Sequence, residues 1–238
     1  METYLFSQYN SKVPGLHIET ATIHEDFSAH QHDFSELVVI LSGRAVHSIE
    51  NRNYRISSGD VYVLTGNTVH EFSNVEDLEI CNIMFDPLLP LNINPGLASI
   101  SGYQALFAIE PLLRPEGMEQ HRFSLSPIQL SCVREMILLL YVEYQHLDSR
   151  KERKELILNL FGSLCYYLSI KKEENIGLYG NNTTARAGKA AAFIHSHFSE
   201  TLTIDEIAGS GIFLSGISAE SSRRHMDSLP GTISEMSG

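Results

Sequence analysis

Three histidines and one glutamate stand close together in the chain, at spacings that can build a single polar site. They read His30-x-His32-x3-Glu36-x6-Gly43, then Gly59-x5-Thr65-x-Asn67-x2-His70-x3-Asn74. Alternate residues of a strand share a face, so His30 and His32 point the same way, and Glu36, an even number further on, can join them. His70 lies just beyond a later strand-like run, which must fold back against the first for a fourth group to arrive. Three imidazoles and a carboxylate suit a divalent metal such as Zn, Ni, Fe or Mn, with His30, His32, Glu36 and His70 as ligands. The same groups can instead meet a sugar, or each other, with no metal.

The elements that must position this set are short strands. Pro14-Gly15 signals a turn after an N-terminal arm, and a first strand follows from Gly15 to Thr22. Strand-like runs then cover residues 36–41, 44–50, 54–56 and 60–64, punctuated by Gly43, Asn51, Ser57-Ser58-Gly59 and Gly66-Asn67, and Leu78 to Phe85 closes the series. Closely spaced short strands point to a closed antiparallel barrel or jelly roll, an arrangement that removes exposed edges. Within these runs Arg44, His47, Tyr54 and Tyr62 carry polar groups, and a one-residue register error would reverse the face of each. His47 repeats the alternation of the pocket face. The expected ligand-binding set is therefore His30, His32, Glu36, Arg44, His47, Tyr62 and His70, and no residue is assigned a catalytic role.

After the strands, Asp86-Pro87 to Pro95-Gly96 breaks the pattern, and Leu97 to Leu113 reads as loop with a short helix. Ser126-Pro127 starts a helix, with serine at the cap and proline in the first turn. Leu130, Val133, Ile137, Leu140 and Tyr144 recur at helical spacing and give it one apolar stripe. A second helix is expected from Arg150 to Ser169, burying Leu156, Leu160, Leu164 and Tyr167. The two form a hairpin that packs on the barrel or pairs with its twin in a homodimer. Lys171 to Gly188, polar and rich in Gly and Asn, has the composition of a flexible linker. Lys189 to Phe198 reads as a helix. Thr203 with Glu206 three residues later forms a capping box for another.

Composition bounds the rest. The chain has 238 residues, 43% hydrophobic, enough for one good domain and a smaller one. No run approaches the roughly 20 apolar residues of a membrane span. The N-terminus lacks a basic segment before an apolar core, so the chain is expected to be cytoplasmic, without a signal peptide. Cys81, Cys132 and Cys165 are odd in number, far apart and set among apolar residues, which reads as free buried thiols. The net charge of −12 argues against non-specific nucleic-acid binding by the chain as a whole.

The two histidine segments resemble both halves of the cupin signature, departing from it at Thr65, where cupins usually have Pro, and Asn67, where they usually have Gly. The run from Ala192 to Phe198 and then Leu202 to Ala208 resembles the opening of the DNA-binding domain of AraC-type transcription regulators. The sensor region, especially Phe34-x-Glu36-Leu37-Val38 to Gly43 and Tyr54-x5-Asp60-Val61, is most similar to the rhamnose-responsive members. The resemblance implies a barrel that binds a small-molecule effector, often a sugar, a hairpin that makes a homodimer, and helix-turn-helix units that grip promoter DNA.

The expected fold is thus mainly β with α: a cupin-like β-barrel or jelly roll with its arm over residues 1–125, a dimerisation hairpin over 126–172, a linker over 173–188, and the start of an all-α helix-turn-helix domain over 189–208. Past Ala208 the family pattern stops. If residues 211–238 are back-translated and read two nucleotides on, they permit a run that resembles the missing part of that domain, and Met226-Asp227 forces one shifted codon to encode glycine. A frameshift near Ser210 is inferred, with a disordered tail over 209–238, a solvated Arg223-Arg224-His225 cluster and impaired DNA binding. The alternative function is a metal-dependent cupin enzyme, a dioxygenase or sugar isomerase. A linker followed by an AraC-like helix pair has no use in such an enzyme, which favours the regulator.

Overall fold

The computed structural model describes residues 2–112, 123–148, 150–179 and 183–207. Eight strands form one mixed sheet: β1 Glu2–Tyr4, β2 Leu16–Ile23, β3 Phe27–His32, β4 Ser35–Ile49, β5 Arg52–Ser57, β6 Asp60–Leu64, β7 His70–Phe85 and β8 Phe123–Ser124. The ladder runs β1-β3-β7-β4-β6-β8, with β2 also on β7 and β5 also on β4. The two long strands β4 and β7 pair over most of their length, from Ser35 opposite Phe85 to Ile49 opposite His70. They are the spine to which the short strands attach. The arm is not loose: β1 adds to β3 in parallel, Glu2 opposite His30 and Tyr4 opposite His32.

The runs expected at 36–41 and 44–50 are one strand. Gly43 does not end it but bends it, at φ 78, and the β4–β7 register shifts three times between Ile40 and Val46. A Cβ at Gly43 would sit 2.6 Å from the Glu76 carbonyl oxygen, so the position accepts only glycine. The irregularity changes which residues face inward. Before it Val38 and Ile40 line the inner cluster with Leu64, Phe72, Leu78 and Ile80, and after it Ala45 and Ile49 do so. The other face, with Leu37, Val39, Leu41, Val61, Val63, Cys81, Ile83 and Phe85, packs against helices in a second cluster.

The segment that breaks the strand pattern holds α1 Leu89–Ile93, and after a 3-10 turn at Pro95–Ser99 the short helix expected within 97–113 is α2 Ser101–Tyr103, which continues as a π-helical stretch over Gln104–Ile109. Helix α3, Pro127–Gln145, starts where its signal stands: Ser126 Oγ accepts from the Gln129 amide while Gln129 Oε1 accepts from the Ser126 amide. Its stripe is buried as expected, Leu130, Val133, Ile137, Leu140 and Tyr144.

Helix α4, Lys151–Tyr179, corrects two expectations. It buries Ile157, Phe161, Leu164, Cys165 and Leu168, while Leu156 is exposed and Leu160 and Tyr167 are only partly covered, so the apolar face is rotated from the one expected. It also continues as helix to Tyr179, through much of the segment whose composition reads as a linker. Lys172 lies buried on it and pairs with Glu110 at 2.5 Å, anchoring the π-helical stretch. Of the cysteines, Cys81 and Cys165 are buried free thiols, but Cys132 is exposed because its place on α3 is opposite the buried stripe.

Helix α5, Thr183–Ser196, packs on the α2 region, and α6, Ile204–Ile207, carries the expected box, with the Thr203 amide donating to Glu206 Oε2 at 2.8 Å. Small residues make the approach to α5 close. A Cβ on Gly188 would fall 2.7 Å from the Ser101 carbonyl oxygen, beside buried Ala105 and Ala185. Gly102 is tighter still, its α-carbon facing the Ser169 carbonyl of α4. The tail over 209–238, its Arg223-Arg224-His225 cluster and the frameshift near Ser210 lie outside the described residues. Gly102→Ala is expected to cost about 1–3 kcal/mol by overpacking. Urea denaturation would measure it, and an unchanged midpoint would show that the α2–α4 crossing is not tight.

Candidate functional site

Two neighbouring segments and one distant strand build the polar site. β3 ends at His32, a two-residue bend at Asp33-Phe34 follows, and Glu36 enters on β4, so His32 and Glu36 converge from two strands rather than along one. His70 opens β7, where its backbone pairs with His30 on one side and Ile49 on the other. All four are buried in the inner face: His30, His32, Glu36 and His70 are each 7% exposed or less.

Hydrogen bonds set the imidazole orientations. A carbonyl can only accept, so Nδ1–H of His32 donates to the Phe34 carbonyl at 2.8 Å, and Nδ1–H of His30 donates to the Ser28 carbonyl at 2.9 Å. Each ring then offers the lone pair of Nε2. His32 Nε2 is 3.7 Å from Glu36 Oε2, beyond hydrogen-bond range, and has no hydrogen-bond partner among the described residues. His70 Nε2 stands 3.9 Å from the same carboxylate oxygen. His30 packs its ring against His70 with centroids 4.1 Å apart, next to the cluster formed by His32, Glu36 and His70.

Burial dictates the electrostatics. It pushes the His32 imidazolium down to about 4, so the ring is neutral at neutral pH. It pushes the Glu36 carboxyl up to about 8, with the charge of Glu19 adding in the same direction. Without a cation beside it, Glu36 therefore keeps its proton.

These residues fit a divalent metal ion. Their ligand atoms lie within 4.8 Å of one another, and two ligands about 2.1 Å from an ion are at most about 4.2 Å apart, so a small contraction suffices. The buried, neutral lone pair of His32 points into the cluster, and only a cation would hold Glu36 ionised there. His32, Glu36 and His70 would hold the ion, which when bound acts as a Lewis acid toward a ligand oxygen.

Of the other expected residues, His47 is fully buried, with Nε2 3.3 Å from His70 Nδ1 and its ring on Phe72 at 4.5 Å. Tyr62 meets His47 edge-on at 5.4 Å. It also lines a cavity of about 510 Å3 with Val46, Asn53, Tyr54, Arg55, Ser73 and Asn74, of a size suited to a small ligand. Arg44 must be corrected. Its guanidinium is 70% exposed and pairs with Glu76 on the outer surface, because the bend at Gly43 puts residues 45, 47 and 49 inside and turns residue 44 outward.

Three contributors escaped the sequence reading. Phe34 lies flat on His32 at 4.4 Å and is itself met by Phe6 and Tyr9 of the arm. Tyr4 meets His30 edge-on at 5.2 Å. Asn82 Oδ1 is buried with no hydrogen-bond partner among the described residues, and by alternation it shares the inward face of Leu78 and Ile80. An amide within the otherwise apolar run Ile80 to Phe85 is the readable signal for it.

Fold and cluster together define a cupin-type sheet. Residues 14–120 match the family model of the AraC-like ligand binding domain. Among curated proteins the chain is 30% identical over 145 residues to the HTH-type transcriptional activator RhaR of Escherichia coli O139:H28 and to that of Shigella flexneri, covering 60% of this chain and 46% of each relative. The chain thus spans about half the length of the curated relatives it matches. A cupin-2 domain protein from Shewanella frigidimarina superposes with a TM-score of 0.28 and 20% identity, over 33% of this chain and 85% of that one.

A pH dependence follows for the metal-free protein. Glu36, raised to about 8, contributes stability that is complete below its ordinary value of 4.5 and is lost as pH rises through about 8. His32, lowered to about 4, contributes stability present above its ordinary value of 6.5 and lost as pH falls through about 4. Glu36→Gln is expected to abolish the alkaline part of this profile in denaturation curves taken with chelator. An unchanged decline through about pH 8 would assign it to another group.

Proposed function

We propose that this chain is the effector-sensing part of an AraC-type transcription regulator, with a small sugar as effector. The observation that carries the reading is the buried His32, Glu36 and His70 cluster on the inner face of an AraC-like ligand-binding domain. Burying such groups is costly unless they meet a partner. A sugar hydroxyl, directly or through a divalent ion, supplies one. His30, packed on His70, and Tyr62, packed on His47, extend the contact surface, and similarity to RhaR favours rhamnose or a relative. Helices α5 and α6, whose sequence opens like an AraC-type DNA-binding domain, direct the output to promoter DNA. The impairment of DNA binding rests on the sequence of the 209–238 tail. A second reading, a metal-dependent cupin enzyme, is favoured only by the three metal-fitting side chains, and turnover of a sugar by the metal-loaded chain would support it.

Association belongs to the same proposal. With its buried stripe committed to the core shared by α4 and the sheet, α3 still shows Ile128, Leu138, Leu139 and Val142 at 40% exposure or more, at spacings that form a second stripe. This face supports a homodimer through the hairpin.

Two measurements test the proposal. A sugar that binds the folded chain raises its melting temperature, by about 2.7 kcal/mol of added stability at a concentration one hundred times Kd. The shift is expected with rhamnose or a relative, with or without a divalent metal, and to vanish in His32→Ala. No shift with any sugar would remove the sensor assignment. Leu138→Glu with Leu139→Glu is expected to convert a dimer to monomer in analytical ultracentrifugation, and a dimer that persists would place the interface elsewhere.

A further inference from the structure

His47 is not one of the three residues whose ligand atoms converge, yet it is fully buried beside His70. Its position is the point at which His70 differs from the other two histidines. His30 and His32 each anchor Nδ1 on a backbone carbonyl, and a carbonyl leaves no choice of tautomer. His70 Nδ1 instead faces another imidazole, Nε2 of His47, at 3.3 Å. With one proton on each imidazole, their contact allows two arrangements. If His47 donates, His70 accepts at Nδ1, carries its proton on Nε2, and presents N–H toward Glu36. If His70 donates from Nδ1, its Nε2 presents a lone pair, and His47 holds its own proton on Nδ1.

We infer that His47 is the positioning residue of this site, accepting the Nδ1–H of His70 so that His70 Nε2 faces Glu36 as a ligand for a divalent cation. This rests on the reading of His32, Glu36 and His70 as the ion-holding set. The surroundings orient the His47 ring: Phe72 stacks on it at 4.5 Å and Tyr62 meets it edge-on at 5.4 Å, with Nε2 toward His70. Tyr62 also lines the 510 Å3 cavity. A ligand that moved Tyr62 would thereby act on His47 and on the tautomer of His70, linking the occupied cavity to the affinity of the ion site.

The experiment uses the full chain and Zn2+ or Co2+ as probes, with affinity measured by competition against a chromophoric chelator. His47→Phe keeps the ring volume and the Phe72 stack but cannot accept a hydrogen bond. It is expected to weaken metal binding about 10–100-fold, the usual loss on removing such an outer partner. His47→Gln places an acceptor near the position of Nε2 and is expected to recover most of that affinity, a rescue that a merely space-filling role would not show. Equal affinities for wild type and His47→Phe would overturn the positioning role and leave the ion site standing. A wild-type chain that takes up neither metal would remove the ion site itself, and this inference with it. Should His47→Phe not fold, 15N spectra of the zinc-loaded wild type decide the matter. A proton on His47 Nδ1 and on His70 Nδ1 is expected, and a proton on His47 Nε2 overturns the assignment.

Discussion

The structure turns on the cost of keeping imidazoles and a carboxylate inside an apolar sheet. Transfer of such groups from water is tolerated only when their donors and acceptors are met or their charge is suppressed. Both means are used. His30 and His32 give one nitrogen each to backbone carbonyls, His70 faces His47, and Glu36 keeps its proton to about pH 8. His32 Nε2 has no hydrogen-bond partner among the described residues. The inner face therefore has two regions, an apolar one around Val38, Ile40, Leu78 and Ile80, and a polar one that is stable in itself and becomes more so when something is bound.

That division depends on a backbone irregularity. In a regular strand Glu36 and His47, eleven residues apart, would face opposite sides of the sheet. The left-handed Gly43 and the register shifts around it reverse the alternation once, so that both face inward, while Arg44 is turned out to Glu76. The long β4–β7 pairing carries this through, because β7 supplies His70 and Asn82 to the same face on which β4 supplies Glu36 and His47. Without the bend His47 would face outward and Arg44 inward, at the level of Glu76 on β7.

How much of this was legible depends on the range of each signal. Alternation within one strand accounts for His30 and His32, which share β3, but Glu36 enters on β4 after the bend at Asp33-Phe34 and His70 on the distant β7, so their convergence depends on strand pairing. The stripe and cap of α3 were equally readable, because Ser126, Gln129 and the five buried residues lie within one local pattern. The fate of Arg44 was not, because the parity reversal at Gly43 depends on Glu76 and Asp77 of a strand distant in sequence. The buried face of α4 was misjudged for a related reason. The helix is apolar on more than one side, and which side is buried is decided by α1, α2 and the sheet rather than by its own period. The polar composition of residues 171–179 suggested a linker, but Lys172 is buried against Glu110, and that contact gives a polar stretch a reason to stay helical.

The continuity of α4 constrains helix α5 in turn. A flexible linker would leave α5 free to move independently of the sheet. Instead α4 persists as helix to Tyr179, α5 begins at Thr183, and Gly188, Ala185 and Ala105 bring α5 onto the helical stretch beside the sheet. The outward face of β4, with Leu37, Val39 and Leu41, packs against that same helical layer, while its inward face carries Glu36 and His47. The polar site and the docked helix are thus on opposite sides of one strand and its helical backing. A close-packed layer of this kind transmits a shift by adopting a second packing rather than by bending. The free energy that an effector can send through it is limited to its difference in affinity for the two packings.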